Sequence, residues 1–434
     1  MRKLTVLAGI SAACLFGAAT GALADDQAAA PAPAAAPAPA AAAPAPAAPA
    51  AAAPAAPAAA APAAAPAAPA APPFAMGIDG PIAINPTPYT VKTGTPLLGD
   101  VIINGSVSGL VFAQDHHVPG DHSGWGDLSN AQVMIQKTDG VFQWYVEAGN
   151  YSFPALGTPY TRSNRATTNS FGAVPIAYVK LAPNDAFSVQ IGKLPTLIGY
   201  EYNFTFENAN IERGLLWNQE NQVSRGVQAN YTQGPLTVNL SLNDGFYSND
   251  YSYVTGMVTY VHDPANTLAV CVGVPTKKTN VSTTATNPIL NNSSQYNLVW
   301  THTAGQWTVV PYLQYTSTPT LKKLGVTSAS TTGAAVTATY AFPSDSKLTG
   351  VSIPARVEYI SAKGSGATAA NLLYGKSSNA WSVTVTPTYQ YKIFYARAEA
   401  SYVAASKIAP GTAFGLSGNT KTQSRILFEA GVLF

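Results

Sequence analysis

Charge is scarce in this chain of 434 residues: Asp, Glu, Lys and Arg make up 10% of it, against 47% hydrophobic residues. A soluble globular protein carries about a quarter charged residues, so the composition points instead to a membrane or cell-envelope protein. Long apolar runs are lacking as well. Beyond the first 25 positions no run of ~18 or more apolar residues is free of proline, which excludes helical membrane spans. The formal net charge is only +2 and no Lys/Arg-dense stretch occurs, so no nucleic-acid partner is expected. Cysteine is nearly absent, with Cys14 and Cys271 alone. No Cys-x-x-Cys-His occurs either, which argues against attached haem.

What is present begins with a secretory leader. Arg2 and Lys3, the apolar stretch Leu4 to Ala19, and Ala22-Leu23-Ala24 before Asp25 give residues 1–24 the charged, apolar and small-residue parts of a cleavable signal peptide. Cleavage removes Cys14, so Cys271 has no partner and the fold cannot rest on an internal disulfide in its oxidising destination. Residues 25–73 form a second segment. From Ala28 to Pro73 fourteen of forty-six residues are proline and nearly all the rest alanine. Proline at that density blocks helix and favours extended polyproline II at ~3.1 Å per residue, a reach of roughly 140 Å. The expectation is a disordered, semi-rigid periplasmic spacer, with cell-wall contact as the sharper alternative.

After Pro73 the pattern changes. Residues 74–100 read as a lead-in, with an extra strand or a segment tucked into the lumen as alternatives, and from Val101 onward segments of about ten residues alternate with period two between turn residues, the signature of an outer-membrane β-barrel. Seven short connections, at Thr138–Gly140, Pro183–Asp185, Gln233–Gly234, Asp263–Asn266, Ala304–Gly305, Pro343–Ser346 and Gln390–Lys392, read as periplasmic turns. Eight longer ones, near 115–127, 152–172, 194–222, 244–252, 276–294, 317–331, 362–376 and 404–423, read as outer loops. Fifteen connections join sixteen strands, so residues 101–434 are expected to form an all-β, antiparallel transmembrane barrel. An even strand number returns both ends to the periplasm.

The faces of the strands agree. Trp381, Val383, Val385, Pro387 and Tyr389 alternate with Ser382, Thr384, Thr386, Thr388 and Gln390, and Leu236 to Asn243 alternates likewise. Trp307 with Tyr315, and Trp381 with Tyr389, stand eight residues apart, about 20 Å along a tilted strand, as two aromatic girdles require. A soluble sandwich would put charge rather than Ser, Thr and Asn on its wet face. Pro175, Pro311, Pro354 and Pro387 fall inside proposed strands of a sheet with no edge, and bulges are expected to absorb them. Phe434 closes the last strand with Ile426, Phe428, Ala430 and Val432 on its face, which resembles the terminal signal read by the barrel-assembly machinery.

The eight glutamates avoid the lipid parity. Glu147, Glu358, Glu399 and Glu429 lie in strands on the wet face, with Lys180, Arg356, Arg397 and Arg425. An Arg or Lys on the lipid face costs ~2–4 kcal/mol at midplane, so the segregation has an energetic cause. Lys193 and Arg225 have ambiguous parity and are read as rim residues. Arg356, Arg397 and Arg425 belong to the thirteenth, fifteenth and sixteenth strands, a charged pore wall near the seam. The third outer loop, Leu194 to Gln222, is the longest and carries Tyr200, Glu201, Tyr202, Phe204, Phe206, Glu207, Glu212, Arg213, Trp217 and Glu220. A loop this apolar should not lie in solvent. It is expected to fold into the lumen as a constriction, presenting acids toward the basic wall and selecting by size and field.

The stretch Gly192-Lys193-Leu194-Pro195-Thr196-Leu197-Ile198-Gly199-Tyr200-Glu201, then Ser224-Arg225-Gly226-Val227-Gln228 and Asn243-Asp244-Gly245, resembles the OmpL-like putative β-barrel porin family. The likeness runs over residues 170–260 and elsewhere follows the barrel pattern. It implies a bacterial outer-membrane porin for small solutes.

Other chemistry is weighed and set aside. Loop 1 holds His116, His117 and His122 with Asp115 and Asp121, donors able to hold Zn, Cu or Ni, but a solvated, flexible loop is the favoured reading and no metal is expected. His262 and His302 sit at strand ends as interfacial rings. No nucleophile pairs with either, so neither an enzyme nor a cofactor is expected. The expected function is passive diffusion of small hydrophilic solutes through a barrel wide enough for water, with outer-membrane lipid and those solutes as partners and a homotrimer as a further expectation. Two alternatives stand beside it: a structural envelope protein anchoring the spacer to the cell wall, and a solute-specific channel.

Overall fold

The computed structural model describes residues 81–434 apart from 84–86, 96–97, 284–286 and 365, together with the two-residue strand Gly17–Ala18, which pairs with Ala370–Asn371. The proline-rich spacer and the leader's cleavage site lie outside the described residues.

Sixteen strands close into one antiparallel barrel. In chain order they are β1 Asp100–Gln114, β2 Gly124–Lys137, β3 Phe142–Tyr151, β4 Ile176–Leu181, β5 Phe187–Pro195, β6 Val223–Gln233, β7 Leu236–Asn243 and β8 Tyr253–Asp263. There follow β9 Asn266–Pro275, β10 Ser294–Ala304, β11 Trp307–Thr318, β12 Ala329–Ala341, β13 Val351–Gly364, β14 Asn379–Tyr391, β15 Phe394–Ser406 and β16 Thr422–Leu433. Each pairs with its neighbours, and β16 closes on β1 from Arg425↔Gln114 to Leu433↔Ser106. Phe434 and Gly105 exchange backbone hydrogen bonds at 2.8 and 2.9 Å, so the last residue completes the seam. No helix among the described residues is long and apolar enough to cross a membrane.

The period-two alternation explains the shape, because one residue set must meet hydrocarbon and the other the lumen. Val227, Tyr231, Leu240, Leu242, Leu298, Leu313, Val357 and Phe428 are exposed on the outer face, while their neighbours turn inward. Outward aromatics gather toward both ends: Phe187, Tyr231, Tyr260, Trp300, Trp307, Tyr389 and Phe394 beside the short turns, and Tyr296, Tyr315, Tyr359, Trp381 and Tyr402 beside the loops.

Several boundaries differ from the sequence expectation. Loop 1 ends at 123, since Trp125 and Asp127 already belong to β2, and the turn after β12 runs over 342–350. Loop 2 contains a short helix, α1, Ser163–Asn169. Pro175 falls just before β4. Pro387 interrupts β14, leaving arms Asn379–Val385 and Thr388–Tyr391, because it has no N–H for the ladder. Pro311 and Pro354 need no bulge, for their pairings with Val336 and Thr339 run through in unbroken register. The register shifts occur instead at Ser108/Gly109 and Val261/Asp263.

The lead-in forms a hairpin with the first strand, Tyr89–Lys92 against Asp100–Ile103. Further upstream, Ile82 is fully buried against Met134, Tyr145, Tyr395 and Leu433, and Ala83 exchanges two 2.7 Å hydrogen bonds with the Gln390 amide.

Candidate functional site

Loop 3, residues 196–222, lies among the inward-facing side chains of the barrel. Its apolar residues give the reason. Leu215 and Leu216 are each 1% exposed and pack with Val310, Ala335, Ile360, Ala380 and Val403, which all face inward. Phe204 and Phe206 join Tyr151 and Val223 in a second cluster. Burying a leucine or phenylalanine contributes about 1.5–3 kcal/mol, so four such residues offset a substantial ordering cost.

The charged wall then holds the loop's backbone. Arg397 on β15 pairs with Glu429 on β16 at 3.0 Å through Nε and donates to the carbonyls of Asn208 and Thr205 at 2.9 and 2.8 Å. Glu429 also accepts the Thr205 hydroxyl at 2.6 Å. Glu399 accepts the Ile211 and Glu212 amides at 2.6 and 2.9 Å, and Glu358 accepts that of Leu215 at 3.0 Å. Arg356 pairs with Glu201 and donates to the Glu212 carbonyl at 3.0 Å. Arg425 pairs with Glu212 at 2.6 Å and reaches the Ala155 carbonyl of loop 2 at 2.9 Å. Charge-assisted bonds of this kind are the stronger class, and each carboxylate here takes more than one donor. Gly214 is required at its position: a Cβ there would collide with the Glu358 carboxylate.

Loop 3 and the basic wall are expected to face each other with opposed charges. They meet directly, and Arg356, Arg397, Arg425, Glu358, Glu399, Glu429 and Glu212 are all 4% exposed or less. Ion pairs this deep need further hydrogen bonds to repay desolvation, and the loop's amides and carbonyls supply many of them.

The remaining expected residues fall into place around this latch. Glu147 on β3 is buried and bonded to Gln132 and Tyr145 at 2.6 and 3.1 Å. Glu207 caps its own turn by accepting the Phe204 amide at 2.9 Å, and Glu220 accepts the Tyr312 hydroxyl. Burial pushes the Glu207 carboxyl well above the ordinary 4.5, with Glu147 adding to the effect. Burial raises Glu220 likewise, against the opposing bond from Tyr312. Arg213, buried beside Trp217 with its guanidinium 5.5 Å from the ring, is drawn down to about 10 by desolvation. Tyr200 packs at the edge of the Leu215 cluster. Lys193 and Arg225 are tied to loop ends, the first to the Val174 carbonyl at 2.7 Å and the second to Asp244 at 2.8 Å.

Lys180 stands apart from the cluster, half-buried on β4 between Gln143 and Gln190. The histidines of loop 1 do not assemble a metal site. Asp115 is taken by the Ser424 amide at 2.6 Å and Asp121 by Gln114 and two backbone amides. No group of three or more potential ligands is close enough among the described residues.

Sequence reasoning missed the opposite wall. On β5, β6 and β7 the inward side chains form a ladder of amides: Gln228 donates to Gln190 at 3.1 Å and to Asn230 at 2.7 Å, and Asn239 donates to Asn230 at 2.8 Å. Thr237, Thr259, Thr267, Thr301 and Thr308 continue this face around to β11, and like Gln190, Asn230 and Asn239 they are only partly buried. The lumen thus has a charged side covered by loop 3 and, on β5 to β7 and at the turn ends of β8 to β11, a run of hydroxyls and amides that stays partly exposed, while the end of loop 3 also bonds Gln295, Gln314 and Thr331 on β10 to β12. Alternating Gln and Asn at 228 and 230 was a visible signal, but only register brings Gln190 and Asn239 beside them.

A family model described as Putative beta-barrel porin-2, OmpL-like matches residues 101–434, the whole of the barrel. No curated protein matches the chain. Among solved structures, the outer-membrane expressed OmpT of Vibrio cholerae aligns with a TM-score of 0.52 at 11% identity, covering 80% of this chain and 100% of its own. The anion-selective porin from Comamonas acidovorans gives 0.52 at 12%, covering 77% and 99%. The outer membrane channel DcaP of Acinetobacter baumannii gives 0.50 at 11%, covering 77% and 97%. At such identities these likenesses are of fold.

Proposed function

This chain belongs to the Putative beta-barrel porin-2, OmpL-like family, and on that premise we propose that it lets small hydrophilic solutes and ions diffuse passively across a Gram-negative outer membrane. Membership of a porin family supports reading it as a channel rather than an enzyme. Loop 3 narrows the lumen from the charged side, and solutes pass along the hydroxyl and amide side.

The observation that carries this proposal is the division of labour between the two walls. Arg356, Arg397 and Arg425 are buried and each donates at least one bond to loop 3, so their charge holds the loop instead of meeting the solute. Gln190, Asn230 and Asn239 keep part of their surface open and carry no charge. Neutral groups exchange hydrogen bonds with water and sugars without holding an ion, which favours a low barrier to many solutes and a weak ion preference.

The test is planar-bilayer conductance of the purified chain with salts and a panel of sugars and organic ions. Ohmic current that larger sugars progressively reduce is the expected result. Bilayers that stay silent although the barrel has inserted would overturn the channel and leave the envelope-anchor alternative, in which residues 28–73 tether the barrel to the cell wall. Saturable block by one solute alone would turn a general pore into a solute-specific channel.

A further inference from the structure

A second feature lies at the loop end of the barrel, apart from loop 3 and its latch. Loops 1 and 2 enclose a cavity of about 460 Å³, lined by Asp121, His122, Trp125, Tyr160, Arg162 and Arg165 among others. Its volume falls within the ~300–1,000 Å³ of small-molecule sites.

The two acids nearby have no capacity left. Asp127 accepts the Leu128 and Ser163 amides at 2.8 and 2.6 Å and the Ser163 and Tyr160 hydroxyls at 2.9 and 3.1 Å. Asp121 accepts Gln114 at 2.9 Å, the His122 amide at 2.8 Å and the Tyr160 amide at 3.0 Å, with Arg425 behind it at 3.9 Å. These bonds fix the segment around Tyr160 to Ser163, and with it the arginines.

The arginines are free by comparison. Arg162 lies flat on Trp125, 3.8 Å from the ring centroid, while His122 meets the same ring edge-on at 4.5 Å. Stacking holds the guanidinium plane and leaves its N–H edge available for a bidentate partner. Arg165 is exposed one turn later. Neither arginine forms an ion pair among the described residues, in contrast to Arg356, Arg397 and Arg425.

We propose that this cavity is a capture site for a small organic anion bearing a carboxylate or a phosphate, held at the barrel's mouth by Arg162 and Arg165 with Tyr160 and Trp125 as its walls. Two cations, one of them held over Trp125, in a concave, partly apolar site concentrate such a solute before it enters the lumen. Binding there is an equilibrium property of the folded barrel and stands or falls apart from conduction.

The experiment is calorimetric titration of the detergent-solubilised full chain at low ionic strength with benzoate and glucose 6-phosphate, against benzyl alcohol and glucose as neutral counterparts. At least one anion is expected to saturate a single site about tenfold or more tighter than its counterpart. Arg162→Gln with Arg165→Gln should weaken it about tenfold, and Arg165→Gln alone, which leaves the Trp125 stack intact, should weaken it less. Lys322→Gln with Lys323→Gln removes equal charge from another loop and should weaken it less than about twofold. Binding of one anion but not the other identifies the recognised group. Equal affinity for charged and neutral solutes, or equal losses in the two double variants, would overturn the site.

Discussion

The two sides of the lumen are built from the same alternating strands and yet do opposite things. On β13, β15 and β16 the inward positions hold Arg356, Glu358, Arg397, Glu399, Arg425 and Glu429, all buried under loop 3. On β5 to β7 they hold Gln190, Gln228, Asn230 and Asn239, bonded to each other, with Gln228 buried and the other three partly exposed. What separates them is desolvation. A charge beneath a loop must be matched bond for bond, so the charged side recruits backbone and becomes rigid. An amide can bond sideways to its neighbour and keep water on its free edge, so the uncharged side stays a surface. Charge placed in a barrel wall therefore does not by itself make a selectivity filter; here it makes the mount that loop 3 hangs from.

Breaking the mount should have the largest effect. Arg397→Ala with Arg425→Ala leaves Glu429 and Glu212 buried without their cations, a loss of about 3–5 kcal/mol for each broken pair. Loop 3 should leave the charged side, and single-channel recording should show a severalfold larger, noisier conductance. A conductance and ion preference equal to the parent's would contradict the latch.

A milder way to loosen the same side is rising pH. Glu207 and Glu220 have carboxyls raised by burial above the ordinary 4.5, so the folded loop binds more protons than the released one between that value and the raised ones. Stability of the docked loop consequently falls as pH rises through this window, because both acids must then ionise where they are buried. Open-channel noise should grow with pH, and Glu207→Gln with Glu220→Gln should flatten the dependence. Noise that grows toward acid would reverse the sign and count against it.

The smallest expected change sharpens the other side. Asn239→Asp puts one charge on the open wall without removing a latch bond, and an exposed charge acts with about 1 kcal/mol at contact in water. Reversal potentials in a salt gradient should move a few-fold toward cations. The same change at a site that solutes never pass would leave them where they are.

Much of this was legible before any coordinates. Period two alone set lipid against lumen, and the loop-and-turn rhythm gave sixteen strands, because both follow from residues a few positions apart. The family was visible in a few short segments around Gly192 and Ser224. The apolar content of loop 3 foretold that it would not stand in solvent. Its partners were not legible, since whether Arg397 reaches a carbonyl at Asn208 or faces open water depends on the path of a 27-residue loop, not on parity. The helix at Ser163–Asn169 carries no apolar stripe long enough to announce it, and its place is set by Asp127, 36 positions earlier. The amide ladder was hidden for a related reason: it exists only between strands, and register is a property of the closed sheet.

Cysteine accessibility in the open channel tests the division between the walls most directly. In a Cys271→Ser background, Asn239→Cys and Thr384→Cys would be compared during exposure to a charged thiol reagent, the first on the open wall and the second fully buried on β14. Current through the Asn239→Cys channel should fall promptly on modification while the Thr384→Cys channel remains unaffected. Rapid loss at Thr384→Cys with none at Asn239→Cys would put the passage on the charged side and contradict the reading at its centre.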